Sequence, residues 1–118
     1  MNTARSKHSC TRLRNDSIIV VGGDYGSVDS TEILTIGELN WKYGPVLKEG
    51  LRSDKVVESN RKDYIAYNFG GHSKIHSSEI YGLNVERNEW QLVANMNERR
   101  CCGTAVNVPS NLIPWSEV

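Results

Sequence analysis

Ile18-Ile19-Val20-Val21-Gly22-Gly23 decides the fold, because Ala66-Tyr67-Asn68-Phe69-Gly70-Gly71 repeats its form 48 residues later. Each is a β-prone apolar run of strand length closed by two glycines. Glycine in such a place permits a positive φ and a close backbone approach where a chain leaves a crowded sheet. Outward from these two runs the same spacing recurs. Glu32-Ile33 and Glu79-Ile80 stand 47 residues apart, and Trp41 and Trp90 stand 49 apart. Arg5, Arg52 and Arg100 are separated by 47 and 48 residues, with Met1 and Met96 each four residues before its arginine. A period held by several independent features marks an internal repeat, and the chain holds two full copies and the opening of a third.

Within each copy the residues read as short strands. In the first copy these are Ser9 to Leu13, Ser17 to Val21, Thr31 to Ile36 and Trp41 to Tyr43. In the second they are Lys55 to Glu58, Tyr64 to Phe69, Ser78 to Leu83 and Trp90 to Val93. Polar loops follow the glycines, tight turns (Gly37 to Asn40, Asn84 to Glu89) precede the tryptophans, and no stretch carries a sustained helical period. Four short strands per unit is the arithmetic of a propeller blade. One tryptophan per unit supplies a large apolar plate for the space between stacked blades. The recurring arginine is expected to bond backbone carbonyls of a neighbouring blade.

These residues resemble the kelch repeat. Met1, Arg5, the Ile18–Val21 run with its glycines, Thr31-Glu32-Ile33 and Asn40-Trp41 carry the resemblance in the first copy. Arg52, Tyr67-Asn68-Phe69-Gly70-Gly71, Ser78-Glu79-Ile80-Tyr81 and Asn88-Glu89-Trp90 carry it in the second, and Met96 to Arg100 and on to Val106 in the third. Leu34 departs from the pattern by standing where Tyr81 supplies an aromatic, Asn68 interrupts an apolar run, and no methionine precedes Arg52. The units are drawn at residues 1–49, at 50–95, and at 96–118 for a third repeat or closing strand with a tail. The expected fold is thus all-β, a partial kelch propeller of about two and a half four-stranded blades. Such a propeller usually has about six or seven blades. The chain is therefore expected to be a piece of a longer protein or to close a ring by self-association. Gly103 to Val108 is a candidate closing strand.

The resemblance implies protein–protein interaction, as in an adaptor or a ubiquitin-ligase substrate receptor, with a protein or peptide as partner. Contacts are implied just after the double glycines and near the repeat's arginine: at Asp24 and Tyr25, His72 and Lys74, Arg5 with Lys7, Arg52 with Asp54, and Arg100. The alternatives are the propeller scaffold of an enzyme related to galactose oxidase or a sugar epimerase, and an extracellular receptor module.

The remaining residues point away from chemistry. Fourteen basic residues balance fourteen acidic ones, so no long-range field draws nucleic acid or an anionic membrane. Arg5, Lys7, Arg12 and Arg14 lack neighbouring aromatics for base stacking and read as a solvated rim. His72 and His76 have helical ligand spacing but sit in a Gly- and Ser-rich loop, so they read as surface residues. No nucleophile motif or phosphate loop is present, and neither enzymatic activity, cofactor nor metal is expected. Cys10, Cys101 and Cys102 form no disulfide framework and are expected to be reduced, with the Cys101-Cys102 pair buried as small apolar side chains rather than serving as a redox switch or half a metal site. Ile18 to Val21, the longest aliphatic run, is far too short for a bilayer, and the first eight residues lack the apolar core of a secretory signal. An intracellular, cytoplasmic location is the expectation.

Overall fold

The computed structural model describes residues 1–5, 7–23, 29–48, 55–71 and 77–100. They form eight strands: β1 (Ser9–Leu13), β2 (Ser17–Val21), β3 (Thr31–Thr35), β4 (Lys42–Tyr43), β5 (Lys55–Glu58), β6 (Tyr64–Phe69), β7 (Ser77–Asn84) and β8 (Glu89–Arg100). There is no helix among the described residues, and so none long and apolar enough to cross a membrane. The protein is all-β, built of two four-stranded antiparallel meanders ordered β1-β2-β3-β4 and β5-β6-β7-β8.

Both double glycines have the backbone expected of them. Gly22 and Gly23 take φ of 70° and 125°, and Gly70 and Gly71 take 69° and 128°. A Cβ in this region is strained, so the chain leaves each second strand by the same glycine-dependent bend. At the opposite end Asp16 turns β1 into β2 with a φ of 58°, its N–H bonded to the Leu13 carbonyl at 3.2 Å. Aspartate is among the few side chains that tolerate that region.

Strand alternation sorts each sheet into two faces. The first sheet turns Leu13, Ile19 and Val21, with half-buried Ile33, toward the second. The second answers with Val56, Ala66, Tyr81, Leu83 and Trp90, which register places on one face, and Leu47 fills between. The sheets align end to end. The Val56 N–H donates to Ser9 Oγ at 2.7 Å where β1 and β5 begin, and Arg14 Nη1 donates to the Ser59 carbonyl at 2.7 Å where they finish.

Two expectations change. β8 runs to Arg100 rather than stopping at Val93, because two bulges in its pairing with β7 absorb the added residues. Cys10 is exposed, since alternation turns Ser9, Thr11 and Leu13 to the core and Cys10 away from it. Glu79 is not the register equivalent of Glu32. Glu32 stands opposite Val20, and Val20 matches Asn68, whose own partner is Tyr81. The connection after the second double glycine is one residue longer, so Tyr81 answers to Glu32 and Leu83 to Leu34.

Candidate functional site

The strand ends that flank the expected contact positions lie at one end of the two sheets. β1 and β5 start there, β2 and β6 leave by their glycines, β3 and β7 begin, and β8 finishes. Asp24, Tyr25, Arg52, Asp54, His72 and Lys74 lie outside the described residues, as do His76, Cys101, Cys102 and the candidate closing strand. Arg100 ends β8 with its backbone opposite Ser77. Lys7 is exposed just ahead of β1, with a φ of 53°.

Arg5 departs from the surface role. Its side chain has 0% exposure, as has that of Glu32. Nε and Nη2 donate to Glu32 Oε2 at 3.1 and 3.0 Å, Nη1 donates to the carbonyls of Gly22 and Ser30 at 2.8 and 3.2 Å, and Nη2 also reaches Ser30 Oγ at 2.9 Å. A guanidinium so engaged offers nothing to a partner. Its carbonyl acceptors belong to its own sheet, not to a neighbouring one, because residues 1–5 fold back across the glycine bend of β2. Burial pushes the Glu32 carboxyl up, but the Asn2 N–H, the Arg5 guanidinium and the Thr3 N–H outweigh it and hold the group below its ordinary value.

The second sheet carries a different cluster. Lys48 Nζ meets Glu79 Oε1 at 2.8 Å and stands 6.0 Å from the centre of the Tyr81 ring, while Tyr81 Oη donates to Glu79 Oε2 at 2.9 Å. Lys48 lies 47 residues after Met1, so the lysine occupies the methionine's place in the repeat. The hydrogen bond to Glu79 raises the Lys48 ammonium above its usual range, and burial raises the Tyr81 hydroxyl. The missing methionine before Arg52 was the only sequence sign of this cluster.

Arg14 and Arg12 part company. Arg14 reaches across to the carbonyls of Ser59 and Tyr64 on the second sheet, and Arg12 pairs with Asp16 in solvent. At this far end a cleft of about 130 Å3 opens between the sheets, floored by Leu13, Ile33, Ile65 and Leu83 and rimmed by Asn15, Asn84 and Asn88. No group of three His, Cys, Asp or Glu side chains converges among the described residues. No protein-family model matches the chain, and no curated protein matches it.

Proposed function

We propose that the two sheets are successive blades of a kelch-type β-propeller and that the chain serves as a protein-interaction module rather than an enzyme. One observation carries the reading. The face of the second sheet that receives the first is the register equivalent of the first sheet's own outer face, so the sheets follow one another in a single direction, as blades do. Trp90 takes the place between sheets that the repeat reserves for a tryptophan, 8% exposed, with its indole N–H bonded to the Pro45 carbonyl at 3.2 Å. Propellers vary their end loops without disturbing blade cores, and recognition is carried there. The partner class proposed is a polar protein or peptide segment, read by the mixed charges of residues that the kelch resemblance implies as contacts, among them Lys7, Asp24, Asp54, His72 and Lys74.

A peptide-display selection against the purified chain tests this. Selected peptides are expected to lose binding to Lys7→Glu or Asp24→Lys and to keep it with Lys42→Glu, which alters an exposed residue of the outer strand β4. No selection, or binding indifferent to the glycine-loop end, overturns the reading.

A further inference from the structure

The interface between the two sheets joins unlike faces, and among the described residues each sheet also carries the counterpart of the face it did not use. On the second sheet the joining face is Val56, Ala66, Tyr81, Leu83 and Trp90. Pairing registers place Cys10, Ile18, Glu32 and Leu34 at the equivalent positions of the first sheet's outer face, and Trp41, next to the paired Lys42, continues that register to the position of Trp90. Ile18, Leu34 and Trp41 are only half-buried there. The Trp41 indole N–H has no hydrogen-bond partner among the described residues, whereas that of Trp90 has one. Conversely, Ile19, Val21 and Ile33 of the joining face match Tyr67, Phe69 and Gly82 on the second sheet's outer face. There Tyr64, Tyr67 and Phe69 form a half-buried ladder with ring centroids 5.7 and 6.4 Å apart.

We infer that a second copy of this chain docks head to tail, its first-sheet Trp41 face covering the Tyr67–Phe69 face of the copy before it. The occupant follows from continuity with the interface already present. A second copy offers each of these faces the register equivalent of the surface that covers its counterpart inside the chain. The contact is heterologous, so it repeats, closing into a ring if the rotation permits and growing otherwise. The inference rests on the blade reading above.

Light scattering of the full chain tests it, with Trp41→Asp and Tyr67→Asp as probes and circular dichroism as the check that each retains its sheets. The wild-type chain is expected above its monomer mass of 13.3 kDa. Each variant alone is expected at lower mass, with growth blocked at one face. An equimolar mixture of the two is expected to form a 1:1 pair of twice the monomer mass, because each variant keeps the face the other has lost. That rescue also excludes unfolding as the cause of the single-variant losses. A wild-type chain that stays at 13.3 kDa up to its solubility limit overturns the inference, as does a mixture that fails to pair. Mass that climbs with concentration without a plateau supports docking and counts against ring closure, so it separates this inference from the propeller reading.

Discussion

Arg5 and Glu32, 27 residues apart in sequence, are joined by two hydrogen bonds to one carboxylate oxygen with neither side chain exposed to solvent. The pair ties the segment ahead of β1 to the start of β3 and closes over the first double glycine. A charge buried this deeply is tolerable only when paired and hydrogen-bonded, and each partner satisfies the other.

Arg5→Met is therefore expected to be more damaging than any surface arginine change. It leaves the Glu32 carboxylate buried without its counter-ion, at a cost of about 3–5 kcal/mol. The double variant Arg5→Leu/Glu32→Leu is expected to recover most of that loss. Urea melts of the three proteins measure it, and a single-variant loss no greater than that of exposed Arg12→Met contradicts the burial described.

Acid sensitivity follows from the same carboxyl. Its folded value lies below its unfolded one, so the stabilisation is fully present above the unfolded value of about 4.3 and is lost as pH falls through the folded value. The urea midpoint is expected to hold from pH 7 to about 5 and then drop. Glu32→Gln should lower the plateau and flatten that drop. An unchanged pH slope in Glu32→Gln would assign the acid transition to other carboxylates.

The two tryptophans are expected to differ. Trp90→Ala removes a buried plate and its bond to Pro45, at about 3–5 kcal/mol. Trp41→Ala in the monomer removes a half-buried ring that lies outside the interface between the two sheets and should cost less than half as much. Thermal melts at dilution compare them, and equal losses would mean that the sheets do not stack in the direction described.

Gly82 lies beneath the Tyr64 ring, where a Cβ would come within 2.6 Å of Cδ1. Gly82→Ala is expected to cost about 1–3 kcal/mol through overpacking, and much less in a Tyr64→Ala background. A double-mutant cycle reads the coupling, and additive losses would refute the contact.

Strand positions were legible because β-branched runs and double glycines are local signals. Lys55–Glu58 and Tyr64–Phe69 form over the spans expected of them. The places that misled are those where local sequence and register disagree. Glu32-Ile33 and Glu79-Ile80 look alike, yet the longer loop before β7 slides the second pair by one alternation step and leaves Glu79 to Lys48 and Tyr81. Met96 to Arg100 matches the opening of a unit by its Met-to-Arg spacing, and its continuation of β8 was not legible because the strand's length depends on pairing with β7. Carbonyl bonding by Arg5 was legible from the recurrence of the arginine, but that the acceptors belong to its own sheet was not. Only the fold brings Gly22, Ser30 and Glu32 around it. Pro45 gave no sign of its role, yet its carbonyl accepts from Thr31 Oγ1 at 2.8 Å on one sheet and from Trp90 Nε1 at 3.2 Å on the other.

The central claim is the directional stacking of the two sheets, and methyl NOEs test it most directly. Leu13 and Ile33 of the first sheet line one cleft with Ile65 and Leu83 of the second. Selectively methyl-labelled protein is expected to show cross-peaks between these two pairs, and none from Ile18 or Leu34 to Ile65 or Leu83 within one chain. Cross-peaks from Ile18 and Leu34 in place of Leu13 and Ile33 would reverse the face that the first sheet presents and contradict the account.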